Sequence, residues 1–143
     1  MASLAGKVVL VADDDVMLAI DLEQRFTAAG ALVVGVRTVA AAMRFAAEAR
    51  VSVAVVDCRL VGGDCRPICE RLKARGTPVV FFSEEADVQQ TCCSPRAIIP
   101  KSAGPGTVVD TVAQLLQVSI SSSRLEAPLK ASVDATARPV ATS

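Results

Sequence analysis

The stretch Val8-Val9-Leu10-Val11-Ala12-Asp13-Asp14-Asp15 decides the fold class, because a run of five apolar residues ends abruptly in three aspartates. A short apolar run rich in β-branched residues predicts a strand that is buried on both faces. Asp15 is placed to cap a helix over 16–29, which Gly30 would end. A doubly buried strand that passes directly into a helix is typical of a parallel sheet covered by helices.

The same alternation continues along the chain. Apolar runs predict further strands over 31–36, 51–56, 79–82 and 97–99, and apolar residues at helical spacing predict helices over 39–49, 64–75 and 105–118. The fold class is therefore α/β, a doubly wound five-stranded parallel sheet with helices on both faces. The segment 120–143 is rich in Ser, Ala and Thr and lacks periodicity, so we expect one domain over 1–119 and a disordered tail.

Composition excludes several classes of function. The 143 residues include 15 Lys or Arg and 15 Asp or Glu, so the formal charge is zero and we expect no binding of nucleic acid or membrane through bulk charge. The chain has no His, which excludes Ser-His-Asp hydrolysis and other His-based catalysis. No apolar run approaches the roughly 20 residues of a membrane-spanning helix, and we expect a cytoplasmic location.

The five cysteines leave two interpretations open. Cys65 and Cys69 lie about one helical turn apart, and together with Cys92 and Cys93 they are numerous enough for a four-thiolate zinc site or a redox sensor. Their spacing is irregular and contains no C-x-x-C motif. Small buried apolar side chains are therefore the simpler interpretation for all five cysteines, Cys58 included.

The polar residues that follow the predicted strands are the strongest functional signal. Asp13 and Asp14 follow the first strand, Asp57 the third, Ser83 the fourth and Lys101 the fifth. Ligands of open parallel sheets bind beyond the carboxyl ends of the strands, so we expect these side chains to lie close together. No glycine-rich loop follows the first strand, which excludes the dinucleotide-binding and P-loop phosphate sites.

Three carboxylates at one edge of a sheet need compensating positive charge. Two like charges about 4 Å apart repel by about 4 kcal/mol at an effective dielectric constant of roughly 20. Mg²⁺ suits a small site of oxygen ligands, and Lys101 supplies an ammonium group. A carboxylate, a divalent cation, a lysine and a hydroxyl around one point are the groups needed to accept and hold a phosphoryl group.

Over about 7–118, the chain resembles the receiver domain of two-component response regulators, in its compact stand-alone form. The first strand with Asp13 and Asp14 looks like the family's first strand with its acidic pair. Val53-Ala54-Val55-Val56-Asp57 looks like the third strand with its phosphoacceptor. Phe81-Phe82-Ser83 is similar to the Ser/Thr switch, and Ile98-Ile99-Pro100-Lys101 to the segment that carries the family's lysine. The resemblance implies a flavodoxin-like fold of five βα units.

The resemblance also implies a mechanism. Asp57 would accept a phosphoryl group from a histidine kinase or a histidine phosphotransfer protein, and Lys101 and Ser83 would bind the transferred group. The cofactor would be Mg²⁺, with ligands from Asp13 (mostly through water), Asp14, Asp57 and the backbone carbonyl of Arg59. The chain would be no enzyme beyond its own phosphorylation and dephosphorylation. Its signal would pass to a downstream protein by contact or by phosphorelay, with no direct nucleic-acid or membrane partner.

The chain departs from the family pattern at several positions. Ile98 stands where the family usually has an aromatic residue, Ser102 follows the lysine in place of proline, and Glu84 follows the switch serine in place of a small residue. The short interval between Ser83 and Lys101 predicts a shortened fourth helix.

Two other functions remain open on the sequence alone. Asp13-x-Asp15 after a first strand is also the pattern of a haloacid-dehalogenase-like phosphatase, although such an enzyme needs a late acidic pair where this chain has Pro100-Lys101. The other is a pseudo-receiver that binds partners without phosphorylation, which Glu84 and the shortened fourth region favour.

Overall fold

The computed structural model describes residues 3–48, 50–84 and 95–116. Within these ranges, five parallel strands form one sheet: β1 at Val8–Ala12, β2 at Leu32–Val36, β3 at Val53–Val56, β6 at Val79–Ser83 and β7 at Ala97–Pro100. Strands β4 and β5, described below, form a separate hairpin between β3 and β6. The order of the strands across the sheet is β2-β1-β3-β6-β7. Four α-helices lie in the same ranges: α1 at Val16–Ala28, α2 at Val39–Ala46, α3 at Arg66–Ala74 and α4 at Pro105–Leu115. The predicted fold class is confirmed.

The strands are apolar throughout because the sheet buries both of its faces. In β1, Val9 and Val11 belong to the core on one face, while Leu10, between them, belongs to the core on the other. Phe81 and Phe82 of β6 divide between the two cores in the same way. Successive side chains of a strand point to opposite faces, so a strand covered on both sides needs a continuous apolar run.

Two pairs of helices cover the sheet. Helices α1 and α4 share one core with the sheet, through Leu22, Phe26, Val108 and Val112. Helices α2 and α3 share the other, through Ala42, Ala46, Ile68 and Leu72. In each helix the two residues lie four positions apart, which puts them on a single face.

The strand order places a crevice at the carboxyl ends of the two central strands β1 and β3. Strand β1 pairs with β2 on one side and with β3 on the other. The chain therefore winds outward from β1 in one direction and then crosses to continue in the opposite direction. Open α/β sheets bind ligands where the winding reverses, beyond the carboxyl ends of the strands, which here is the space between β1 and β3.

The predicted element bounds need small corrections. Helix α2 ends at Ala46 rather than at residue 49. Strand β3 begins at Val53 rather than at residue 51, because the hydroxyl of Ser52 accepts a hydrogen bond from the Val8 N–H at 2.9 Å. Helix α3 begins at Arg66, with Pro67 in its first turn where a missing N–H costs no helical hydrogen bond.

A hairpin that the sequence pattern does not predict follows β3. Its strands are β4 at Arg59–Leu60 and β5 at Gly63–Asp64. Gly62 and Gly63 have φ of +99° and +144°, a region that favours glycine, and this explains the Gly-Gly pair. The N–H of Val39 donates to the carbonyl of Val61 at 3.0 Å, so the hairpin is joined to the first residue of α2.

Three predictions lie outside the described residues. They are the shortened fourth helix between β6 and β7, the environment of Cys92 and Cys93, and the tail over 120–143. Within the described ranges, no helix combines the length and the apolar character that crossing a membrane requires.

We expect Leu22→Ala to lower the free energy of unfolding by about 2–5 kcal/mol, because Leu22 is fully buried and its loss leaves a cavity under α1. Leu32→Ala is the matched control: Leu32 is 66% exposed on β2, and the same substitution there should cost less than about 1 kcal/mol. Urea denaturation of both variants measures the difference. Equal costs at the two positions would contradict the buried face assigned to α1.

Candidate functional site

Asp13 and Asp57 lie side by side at the carboxyl ends of β1 and β3. The N–H of Asp13 donates to the Val36 carbonyl at 3.1 Å, and the N–H of Asp57 donates to the Ala12 carbonyl at 2.8 Å. The backbone pairing of the sheet therefore continues into the site and fixes where both side chains start. Asp13 is 2% exposed and Asp57 is 6% exposed.

Both carboxylate oxygens of Asp57 accept hydrogen bonds. Oδ1 accepts from the Ser83 hydroxyl at 2.8 Å and from the Arg59 N–H at 3.1 Å. Oδ2 accepts from Nζ of Lys101 at 2.8 Å. A buried carboxylate loses its hydration, and these three donors replace it.

The ammonium of Lys101 bridges the two buried carboxylates. Its Nζ lies 3.0 Å from Asp13 and 2.8 Å from Asp57. Lys101 begins a single 3₁₀ turn directly after β7, and its Nζ lies 5.9 Å from the centroid of the Phe82 ring. This side chain brings the last strand of the sheet into the site.

Burial sets the electrostatics of this group. Desolvation raises the pKa of Asp13 to about 6, against the lowering effect of the Asp15 N–H and of Lys101. Burial also acts to lower the pKa of Lys101, but its hydrogen bonds and charge interactions with Asp57 and Asp13 outweigh burial, and the pKa is raised. The ammonium is thus held in its charged form, and one positive charge faces two buried acids.

Ser83 joins the site from β6. It is fully buried, and its hydroxyl donates to Asp57 while accepting a hydrogen bond from the Cys58 N–H at 3.2 Å. Its Oγ thus contacts both the candidate phosphoacceptor and the residue that follows it. A change in the hydrogen bonding of the Asp57 carboxylate therefore acts directly on the Ser83 side chain at the end of β6.

The carboxylates of Asp13, Asp14 and Asp57 fit a divalent cation. One oxygen from each lies within 4.8 Å of the other two. Asp14 is exposed while the other two are buried, so a cation here would keep open positions for water. Three hard oxygen donors with room for water suit Mg²⁺. The carbonyl of Arg59 as a further ligand stays a prediction.

Asp15 has a structural role. Its side chain accepts a hydrogen bond from the Leu18 N–H at 3.2 Å and caps α1, as the sequence predicts. The cap holds the start of α1 next to Asp13 and Asp14, because the Asp15 N–H in turn donates to Asp13 at 2.9 Å.

Arg37 is a site neighbour that the sequence reasoning missed. It directly follows β2, and its guanidinium donates to the backbone carbonyl of Asp13 at 3.4 Å and lies 3.9 Å from Glu23. Its position after a strand end is the same signal that identified the other four positions.

The departures from the family pattern lie around the site. Ile98 is 47% exposed on β7, Glu84 is exposed just after Ser83, and Ser102 is exposed in the turn after Lys101. An aliphatic side chain therefore occupies the surface of β7 where the family usually has a ring.

The cysteines Cys58, Cys65 and Cys69 are all buried in the core covered by α2 and α3. A hydrogen bond with the Cys65 thiol, together with burial, raises the pKa of the Cys58 thiol. The zinc site considered from the sequence also needs Cys92 and Cys93, which lie outside the described residues.

We expect Lys101→Ala to lower the free energy of unfolding by about 3 kcal/mol in EDTA, because it leaves two buried carboxylates without their ammonium. Mg²⁺ should then raise the melting temperature of Lys101→Ala more than that of the unmodified chain, since the cation offsets the same charges. Thermal unfolding with and without Mg²⁺ measures both effects, with the exposed Lys73→Ala as control. An absent Mg²⁺ effect in Lys101→Ala would contradict the metal site.

Solved receiver domains resemble this chain. A response regulator receiver protein from Sinorhizobium medicae is 27% identical, with a TM-score of 0.70 over 80% of this chain and 98% of that one. The receiver domain of a sensor histidine kinase from Pseudomonas aeruginosa, with a magnesium ion coordinated in its active site cleft, is 20% identical, with a TM-score of 0.68 over 78% and 97%. The receiver domain of the hybrid histidine kinase CckA is 20% identical, with a TM-score of 0.63 over 77% and 99%.

No protein-family model matches the sequence, and no curated protein matches it. The assignment therefore comes from three-dimensional similarity together with the side chains at the strand ends. Strand order, helix placement and the convergence of Asp13, Asp57, Ser83 and Lys101 all agree with the resemblance found in the sequence. The chain has the fold of a response regulator receiver domain.

Proposed function

We propose that the chain is a single-domain response regulator that accepts a phosphoryl group on Asp57. The observation that carries the proposal is the set of donors around that carboxylate. Ser83 and Lys101 each lie 2.8 Å from an oxygen of Asp57, and the carboxylates of Asp13 and Asp14 lie beside it. These are the groups that phosphoryl transfer to a carboxylate requires.

The transfer step is a displacement at phosphorus. An oxygen of Asp57 forms a bond to phosphorus while the bond from phosphorus to the donor breaks, and the electron pair of that bond leaves with the donor. This chain has no His of its own, so the donor is another protein or a small phosphodonor. The proposed protein donor is the phosphohistidine of a histidine kinase or of a histidine phosphotransfer protein. Mg²⁺, held by Asp14, Asp57 and the Arg59 carbonyl with Asp13 acting through water, would neutralise negative charge on the phosphoryl oxygens.

Lys101 and Ser83 act on the transferred group. Once one Asp57 oxygen is bonded to phosphorus as an acyl phosphate, the carboxyl group no longer carries its charge, and the ammonium of Lys101 is free to bind a phosphoryl oxygen instead. The Ser83 hydroxyl makes the same exchange. Because Ser83 also accepts from the Cys58 N–H, its movement changes the end of β6 and the segment after β3 together.

The proposed output is contact with a downstream protein or relay of the phosphoryl group. The equal numbers of acidic and basic residues support a protein partner over nucleic acid. The proposed chemistry is limited to the chain's own phosphorylation and dephosphorylation, so the chain is proposed to be no enzyme acting on a separate substrate.

We expect acetyl phosphate with Mg²⁺ to add one phosphoryl group of about 80 Da to the chain, which intact-mass spectrometry detects. Asp57→Asn should remove the adduct, because the amide cannot attack phosphorus as a carboxylate does. Asp21→Asn, at an exposed carboxylate of α1 away from the strand ends, is the matched control and should label fully.

Each other outcome points to a different function. No adduct, in conditions that label an active receiver, overturns the proposal. Unchanged affinity for a captured partner in Asp57→Asn would then support the pseudo-receiver. Hydrolysis of p-nitrophenyl phosphate that persists in Asp57→Ala would support the haloacid-dehalogenase-like phosphatase, in which Asp13 would be the nucleophile.

We expect Ser83→Ala to label at Asp57 but to lose the structural response to labelling. The substitution keeps the carboxylates and Lys101 while it removes the hydroxyl that contacts both Asp57 and Cys58. Amide hydrogen exchange across β6, measured before and after acetyl phosphate, reports the response. A full response in Ser83→Ala would exclude Ser83 as the switch residue.

A further inference from the structure

Three buried thiols lie close to the site without a role in the chemistry above. Cys58 is 5% exposed, Cys65 is 4% exposed and Cys69 is fully buried, and all three belong to the core beneath α2 and α3. Cys58 directly follows Asp57 in the chain, so a change at its side chain acts one residue from the candidate phosphoacceptor.

Cys58 and Cys65 face each other across the base of the hairpin. Arg59 pairs with Asp64 in the β4–β5 ladder, so the next pair outward is Cys58 with Cys65. The N–H of Cys65 donates to the carbonyl of Cys58 at 3.2 Å, which extends the pairing to these two residues. Two residues of an antiparallel pair that share such a backbone hydrogen bond have Cα atoms about 5.5 Å apart, within the range of about 4.4–6.8 Å that disulfides span.

The side chains also meet. The interaction with the Cys65 thiol is the largest cause of the raised pKa of the Cys58 thiol, and both side chains belong to the same core under the hairpin. The backbone hydrogen bond and the shared core therefore bring the two sulfur atoms to the same side of the hairpin.

We propose that Cys58 and Cys65 form a reversible disulfide, a redox modification site at the base of the hairpin that follows Asp57. The oxidant class is a peroxide. This site stands on the geometry of the hairpin and does not depend on phosphorylation of Asp57.

The reaction balances with hydrogen peroxide. Cys65 lies at the N-terminus of α3, where the helix dipole favours negative charge, so its sulfur attacks the peroxide oxygen. The O–O bond breaks, one water leaves, and Cys65 becomes a sulfenic acid. The Cys58 sulfur then attacks the Cys65 sulfur and a second water leaves. Two thiols and one peroxide give one disulfide and two waters, and a small dithiol such as dithiothreitol reverses the change.

Cys69 is the competing partner for Cys65, and a bond between these two would distort a helix. The N–H of Cys69 donates to the Cys65 carbonyl at 2.9 Å, so the two residues lie one helical turn apart. Helical residues at this spacing have Cβ atoms about 5–6 Å apart, whereas a disulfide needs about 3.5–4.5 Å. The helix would have to unwind to join these two sulfurs.

The bond would hold the loop after β3 in a fixed form. The Cys58 N–H donates to Ser83, and the Val61 carbonyl accepts from the first residue of α2. Both contacts belong to the segment 58–65, which the disulfide would close into a loop. Because both thiols are buried, oxidation requires the hairpin to open, and we expect a slow reaction.

Peptide mapping of the full chain tests the proposal. Cys58 and Cys65 fall on different tryptic peptides because Arg59 lies between them, whereas Pro67 after Arg66 keeps Cys69 on the peptide of Cys65. The Cys69→Ser variant therefore removes the ambiguity. After hydrogen peroxide, and alkylation of the remaining thiols in denaturant, we expect the cross-linked Cys58–Cys65 peptide pair in the unmodified chain and in Cys69→Ser. We expect at least about a tenfold loss of the pair after dithiothreitol.

The Cys58→Ser and Cys65→Ser variants should give no cross-linked pair. Three results would overturn the proposal: Cys58 remaining fully alkylated after peroxide, Cys58 joined to a cysteine other than Cys65, or Cys65 oxidised to a sulfinic acid beside a free Cys58. The mapping of the unmodified chain decides the matter even where a variant folds poorly. Labelling of Asp57 by acetyl phosphate is a separate measurement, so failure of one proposal is distinguishable from failure of the other.

Discussion

One half-buried ammonium between two buried carboxylates holds together the carboxyl ends of three strands. Lys101 reaches Asp57 across 44 residues of sequence and Asp13 across 88. The ion pairs tie the ends of β1, β3 and β7 to each other at one point. Without the positive charge, burial of two acids at adjacent strand ends would be strongly unfavourable. The sheet topology therefore depends on the charge arrangement, because the strand ends can meet only if the ammonium compensates the two carboxylates.

The sequence was sufficient to predict the layers of the fold. Apolar runs such as 8–12 and 79–82 are buried on both faces, as is typical of strands in a parallel sheet that helices cover on each side. The convergence of Asp13, Asp57 and Lys101 followed from one rule, that the carboxyl ends of parallel strands share an edge. These predictions required only the order of the strands along the chain, and they required no interatomic distances.

Other parts of the structure depend on information that a pattern does not contain. The atoms that Lys101 contacts, and the sharing of Ser83 between Asp57 and the Cys58 N–H, depend on side-chain directions at residues distant in sequence. The hairpin over 59–64 is too short to show a period, and its glycines read equally well as an ordinary loop. Arg37 carries the same sequence signal as the site residues, because it directly follows the second strand.

The hairpin allows little change in length. Its ladder pairs Leu60 with Gly63, and Leu60 is buried while its neighbour Val61 bonds to α2. One inserted or deleted residue would shift the ladder and turn Leu60 to the opposite side, which would also detach Val61 from the helix. In homologues of this chain, we therefore expect insertions to accumulate in the connections that precede the strands, at their amino ends. The hairpin should keep its number of residues even where the residues themselves differ.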